Sequence, residues 1–216
     1  MPLSSNFMQN RSWWMYPQKP IRINDAVFRN LDPDDYSIEP KHDGHRTITI
    51  IGENHVNIWT REKRRIDTPD YLVKQLKQLS LPAGTVLDGE IWSPIQRGGW
   101  TKIKNKECHI TYWDIIKKGN ENLSNNSIED RRKVLSDLIK PCENIHMVEI
   151  MELSLKNLET LHKLAVDTRK EARSGFIHGI VAKRNGSIRR DHAVRSNTHP
   201  DWLKMCFSKM KGWEPR

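Results

Sequence analysis

Lys41 opens the run most able to do chemistry. In Glu39-Pro40-Lys41-His42-Asp43-Gly44-His45-Arg46 a potential nucleophile, a carboxylate, a glycine and a cation follow in close order. A lysine attacks a phosphorus only as the free amine. Its ordinary pKa of about 10.4 means it must be activated by desolvation or by neighbouring positive charge. Gly44 would let the backbone approach a nucleotide closely, and Arg46 could hold ribose or phosphate oxygens. Taken alone, the run also fits a surface turn of mixed charge. A second run, Val86-Leu87-Asp88-Gly89-Glu90-Ile91-Trp92, carries two carboxylates at alternate positions. On a strand they share a face, and among apolar neighbours they are costly to bury without a cation or donors. Asp88 and Glu90 are therefore expected to meet a divalent metal or ribose hydroxyls.

The elements that must position these groups show in the periodicity. Residues 47–60 read as a hairpin: β-branched over 47–51, turn chemistry at Gly52-Glu53-Asn54, and a return over 55–60. The Lys41 run sits just before its first strand. Residues 68–79 read as a helix with Leu72, Leu76 and Leu79 on one face, stopped by Leu81-Pro82-Ala83-Gly84. Strands are expected over 85–92 and 109–116. Ser127 is the expected N-cap of a helix through Ile139, ended by Pro141. A further helix over 155–173, broken at Ser174-Gly175, and short strands over 178–183 and 202–207 close the chain. The pattern predicts a strand-rich α+β domain with helices packed on its sheets.

Composition bounds the class. The 216 residues, 36% hydrophobic and 29% charged, suffice for one domain, or at most two small ones. No apolar run approaches the ~20 residues that span a bilayer, and the polar first fourteen residues lack the apolar centre of a secretory signal. Cys108, Cys142 and Cys206 are odd in number and far apart. That argues against a disulfide framework or a zinc site, and for a reducing cytoplasm. The net charge of +9 favours a polyanionic partner, nucleic acid above all.

Together these runs resemble the covalent nucleotidyltransferase superfamily of ATP-dependent DNA ligases, RNA ligases and mRNA-capping guanylyltransferases. Lys41 to Arg46 resembles the family's Lys-x-Asp-Gly-x-Arg. Trp59-Thr60-Arg61 resembles its Ser/Thr-Arg motif, the Leu87 to Ile91 stretch its Asp-Gly-Glu strand, and Tyr112-Trp113-Asp114 its aromatic-Asp motif. His178-Gly179-Ile180-Val181-Ala182-Lys183 is similar to Glu-Gly-φ-Val-x-Lys, where φ is apolar, and Trp202-Leu203-Lys204 to Trp-φ-Lys-φ-Lys. Each match is weak alone; six in order, spanning 39 to about 206, are specific.

The resemblance implies an antiparallel-sheet-rich, ATP-grasp-like adenylyltransferase domain and assigns roles. Lys41, Asp43 and Lys204 form the expected catalytic set, with Lys41 carrying AMP as a phosphoramide and Lys204 neutralising the α-phosphate. Glu39 lies beside the adenine position, Arg46 and Glu90 hold the ribose, Trp113 stacks on adenine, and Lys183 lines the same pocket. Arg61 contacts the ribose or the 5′-phosphate of a nick. The implied cofactors are ATP and Mg²⁺, with Mn²⁺ as a substitute, and the implied metal ligands are Asp88 and Glu90. Two positions depart from the pattern. His178 replaces a glutamate and cannot supply its charge; Cys206 replaces the second lysine of the last motif, with Lys209 or Lys211 as the candidate to take over its role.

The resemblance also implies an ATP-dependent polynucleotide ligase that seals 5′-phosphate/3′-hydroxyl breaks in repair or replication. The helix containing Ile128-Glu129-Asp130-Arg131-Arg132 resembles one common in DNA ligases and tips the reading toward DNA. An RNA ligase is the alternative; a guanylyltransferase and a weakened nucleic-acid-binding relative rank lower. The chain ends soon after Trp202-Leu203-Lys204, so the expectation is a single domain over 1–216 with no OB-fold, either a minimal enzyme or an excised catalytic domain, acting as a monomer in the cytoplasm without a membrane. Phosphate contacts would then come from Arg61, Arg64, Arg65, Lys102, Lys104, Lys106, Arg189, Arg190 and Arg195, each of which also fits a solvated face. Arg97-Gly98-Gly99-Trp100 is a turn whose tryptophan could stack on an end base.

Overall fold

The computed structural model of the chain describes residues 15–171, 177–192 and 198–207, the side chains of 166–171 excepted. The N-terminal run gives β1 (Lys19–Arg22), α1 (Asp25–Arg29) and β2 (Tyr36–His42). Asn24 caps α1 by accepting the Val27 N–H at 2.9 Å. The expected hairpin is β3 (His45–Ile51) and β4 (Val56–Thr60), closed by a turn in which the Gly52 N–H donates to the His55 carbonyl at 2.8 Å. The leucine spacing gives α2 (Asp70–Gln78), which buries Leu72 and Leu76.

Next come β5 (Val86–Trp92), α3 (Trp100–Ile103), β6 (His109–Lys118) and β7 (Glu121–Asn122). Ser127 caps α4 (Ile128–Leu138), its hydroxyl accepting the Asp130 N–H at 3.1 Å. β8 (Ile145–Met147), β9 (Met151–Glu152), α5 (Leu155–Glu171), β10 (Ile177–Arg184) and β11 (Thr198–Cys206) follow. The break expected at Ser174-Gly175 lies outside the described residues.

One sheet has the order β1-β11-β10-β2-β9; the other runs β4-β3-β5-β6-β7, with β8 paired to β6. Pairing is antiparallel except for β1 with β11 and β6 with β8. The second sheet packs its apolar face on α2 and α4 through Ile58, Leu72, Leu76, Leu87, Ile115 and Leu135. The first packs on α1 and α5 through Phe28, Ile38, Leu158, Leu161, Ile180 and Met205. The result is the expected sheet-rich α+β architecture. No helix among the described residues is long and apolar enough to cross a membrane.

Lys41 precedes the hairpin strand β3 as expected, and it lies in a strand of its own, β2, which the sequence reading did not contain. Pro40 next to it removes a backbone donor, which a strand tolerates where one side is unpaired. Here β10 covers one side of β2, while β9 reaches only Ser37 and Ile38.

Candidate active site

The two sheets meet along a cleft of about 240 Å³. β2 brings Glu39 and Lys41 to it, β10 brings Lys183, and β11 brings Trp202 and Lys204. From the other sheet come Arg46 on β3, Glu90 on β5 and Trp113 on β6; Arg61 follows β4. All eight residues expected to contact the nucleotide thus border one cavity. His42, Val181 and Trp202 of the quoted motifs line it as well, and so do Lys19 and Pro20, which the sequence did not single out.

Gly44 borders the cavity, and it has a second job besides the one expected. A Cβ there would lie 2.3 Å from the Ile91 carbonyl oxygen. The glycine therefore lets the chain after Lys41 press against β5, and its N–H donates to Glu90 Oε1 at 2.7 Å. Gly179 plays the same part between strands, because a Cβ would sit 2.1 Å from the Met205 carbonyl oxygen. It brings β10 close to β11 beside Lys41, its partner in register on β2. His178 falls at the irregularity in that register, next to the nucleophile position.

At one wall, Glu39 is 2% exposed and its Oε1 accepts a short hydrogen bond from Arg132 on α4. The Lys183 ammonium lies 2.8 Å from the same oxygen and over the Trp202 ring, 4.2 Å from its centroid. Burial is the main cause that lowers the Lys183 pKa to about 8; Glu39 opposes the shift and Arg132 adds to it. Trp113 is half-buried and faces Arg46 and Lys183 at 5.7 and 5.9 Å from its ring centroid. On the far side, burial raises the Glu90 carboxyl above its usual range against the pull of Lys41 and the Gly44 N–H. Burial likewise lowers the Lys204 amine, and the charges of Lys41, Arg22 and Arg61 lower it further. His42 is pushed down to about 4 by burial and by Lys41, so it is neutral near pH 7. It stacks on Trp92 at 5.6 Å between centroids, and Trp92 stacks on His109.

Several expectations need correction. Asp88 does not stand open to a metal ion as expected. It is fully buried, and both its oxygens are held: Arg46 donates to them at 2.9 and 2.6 Å and Arg189 at 3.0 Å. Burial alone would raise the Asp88 carboxyl; the two guanidiniums reverse this and hold it below the usual range. Asp88 and Glu90 share a strand, but a cation at Asp88 would have to displace two arginines. Among the described residues, no three His, Cys, Asp or Glu side chains are grouped to hold a metal ion.

Arg189 is not a surface phosphate contact. It is 3% exposed and binds Asp88, Asp114 and Asp191. Asp43 is not part of the cavity wall, and Arg97 Nε donates to its Oδ2 at 2.8 Å. Trp100 starts α3 and packs against the core rather than standing free for a base. Arg64, Arg65, Lys102, Lys104, Lys106 and Arg190 are exposed. Arg195, Lys209 and Lys211 lie outside the described residues.

Arg131 and Arg132 were read only as a substrate-class signature. In the structure, Arg131 chelates Asp114 at 2.8 and 3.1 Å and Arg132 holds Glu39. The available signal was spacing: behind the Ser127 cap the two arginines fall three and four residues after Ile128 and before Leu135, on the helix's inward face, where buried cations require acidic partners.

The fold is that of a ligase nucleotidyltransferase domain. The ligase domain of M. tuberculosis LigD superposes with a TM-score of 0.60 at 18% identity, covering 88% of this chain and 59% of that one. A mycobacterial DNA ligase D solved with ATP and MES gives 0.63 at 19% identity, with 89% and 60% covered. The ATP-dependent DNA ligase of bacteriophage T7, solved with ATP, gives 0.56 at 16%, with 88% and 68% covered. The chain belongs to the ATP dependent DNA ligase domain family, whose profile matches residues 18–205. It is 25% identical over 193 residues to the SPbeta prophage-derived DNA ligase-like protein LigB of Bacillus subtilis (strain 168), a match spanning 83% of this chain and 64% of that protein.

Proposed function

We propose that this chain is an ATP-dependent polynucleotide ligase, acting on breaks in DNA through a lysyl-AMP intermediate on Lys41. One observation carries the reading. Lys41, Lys204, Arg46, Glu90, Trp113 and Lys183 come from six strands of two sheets and border a single cleft. A solvated patch of mixed charge needs no such convergence.

The chemistry is phosphoryl transfer, whose barrier falls by positioning and by charge neutralisation. The Lys41 amine loses a proton and attacks the α-phosphorus of ATP. An N–P bond forms, the bond to the bridging oxygen breaks, and pyrophosphate leaves with the electron pair. Lys204 neutralises the α-phosphate as charge grows on it. Trp113 offers its face to adenine, and Arg46 and Glu90 bracket the ribose. A 5′-phosphate of the nucleic acid then takes the AMP from Lys41, and a 3′-hydroxyl displaces it to close the strand.

Of the two carboxylates in the wall, Glu39 is occupied by Arg132 and Lys183. Glu90, whose Oε1 accepts the Gly44 N–H, is the one carboxylate of the wall whose other oxygen would meet the ribose or, through water, a Mg²⁺ or Mn²⁺ ion. When bound, the ion would supply a charge clamp on the phosphates. The same cleft serves an RNA ligase, so the polynucleotide class is read from the substrate.

Incubation with α-labelled ATP and Mg²⁺ is expected to label the chain covalently, and Lys41→Ala to abolish the label. An unlabelled wild type overturns the enzyme reading; label from GTP alone moves it to the capping class. Sealing of nicked duplexes with DNA or RNA on either side then separates DNA from RNA ligase.

A further inference from the structure

Basic side chains crowd the part of the cleft where β1 meets β11. Lys204 and Lys19 both line the cavity. Arg22 is the parallel-register partner of Lys204, and the Ile23 N–H donates to the Lys204 carbonyl at 3.0 Å. Register partners on neighbouring strands present their side chains to the same face of a sheet. Ile21 packs onto the core of the first sheet, so Arg22 next to it takes the opposite, cleft-side face, and the register irregularity between Pro20 and Ile21 interrupts the alternation so that Lys19 borders the cavity too.

The electrostatics agree with this placement. After burial, the charges that lower the Lys204 amine are those of Lys41, Arg22 and Arg61. Like charges gathered this closely repel one another, and a bound polyanion relieves that repulsion. The α-phosphate engages Lys41 and Lys204. Lys19 and Arg22 exceed what that phosphate needs, and they sit on a strand that the sequence reading did not contain.

We propose that Lys19 and Arg22 on β1 bind the β- and γ-phosphates of the incoming nucleotide and the pyrophosphate that leaves. The inference rests on the reading of the cleft as a lysine-adenylylation site. The P–O bond to the bridging oxygen breaks with its electron pair going to pyrophosphate. A lysine and an arginine there stabilise the leaving group where its charge develops. The same pair would guide pyrophosphate back in the reverse reaction. It also supplies positive charge near the face where Cys206 stands in place of a lysine.

The test compares two ligands that differ only beyond the α-phosphate region: α,β-methylene-ATP and AMP. Each is titrated against the full chain, against Lys19→Ala and Arg22→Ala, and against the double variant. The charge-retaining pair Lys19→Arg/Arg22→Lys is measured alongside. The double variant is expected to weaken the triphosphate by about tenfold or more, the scale of losing hydrogen bonds to a charged group. AMP should weaken by a clearly smaller factor, and the charge-retaining pair should restore the difference. Equal weakening of both ligands, the signature of a damaged fold or pocket, overturns the proposal. So does no weakening of either, or a charge-retaining pair that behaves like the double alanine. Failure of the underlying reading looks different: the wild type then takes no label from α-labelled ATP, and this inference falls with it.

Discussion

Arg189 carries three carboxylates on one guanidinium. Nη1 lies 3.0 Å from Asp88 and 2.9 Å from Asp114, and Nη2 lies 2.8 Å from Asp191. Asp88 and Asp114 in turn hold Arg46 and Arg131, so one buried network supports Arg46 at the wall of the cleft. Breaking a buried ion pair from one side leaves an uncompensated charge and costs about 3–5 kcal/mol. Arg189→Met is therefore expected to lower the unfolding free energy by roughly 3 kcal/mol, the lower end of that range, because Arg46 and Arg131 remain as partners. A urea titration reads this directly. An unchanged urea midpoint with weaker nucleic-acid binding would return Arg189 to the surface interface. The sequence could not make this distinction. An Arg-Arg pair reads alike inside and outside, and its burial depends on carboxylates about 75 and 101 residues away.

Helix α4 works as a seam between the sheets. Two consecutive arginines, one position apart on its inward side, reach different layers: Arg131 holds Asp114 on β6 and Arg132 holds Glu39 on β2. Ser127 fixes where the helix starts and so which residues face inward. Arg132 touches no reacting atom, and its effect passes through Glu39 and Lys183. Arg132→Met should raise the ATP concentration for half-maximal labelling more than it lowers the maximal rate, with Arg132→Lys recovering part of the loss. A loss confined to the maximal rate would contradict a positioning role. The elements around α4 were legible because each carries a local signal: the Ser127 cap, the β-branched run of β3, the leucines of α2. β1 and β2 were not. β1 is four residues, Lys-Pro-Ile-Arg, on a sheet edge, and it gains order only from β11, far along the chain. β2 hides behind Pro40, a residue that normally argues against a strand. The motif residues were readable because chemistry restricts their types; Lys19 and Pro20 were not, because only the meeting of strands brings them to the cleft.

At the scale of the whole molecule, the positive charge divides into interior and exterior populations. Arg131, Arg132, Lys183 and Arg189 are buried against acids and add little to the outer field. Among the exposed cations, two groups follow elements that reach the cleft: Arg64 and Arg65 after β4, and Lys102, Lys104 and Lys106 on and after α3. β4 leads to Arg61 at the cleft, and the loop before α3 ties Arg97 to Asp43, next to Gly44 in the cleft wall. A duplex with its break at Lys41 would thus have both segments within the same region of surface. If all five engage phosphates of nicked duplex DNA, the slope of log K against log salt is about −4.5, from roughly −0.9 per neutralised phosphate. Removing one of them, as in Lys104→Ala, should reduce that slope by about 0.9 and weaken binding evenly across sequences. Titrations of a nicked duplex between about 50 and 200 mM salt provide the measurement. A near-flat slope, or one that none of the five substitutions alters, would make these faces merely solvated and move the phosphate-binding surface elsewhere. Arg189→Met serves as the internal contrast: buried against acids, it should change stability while leaving the slope per contact as it was.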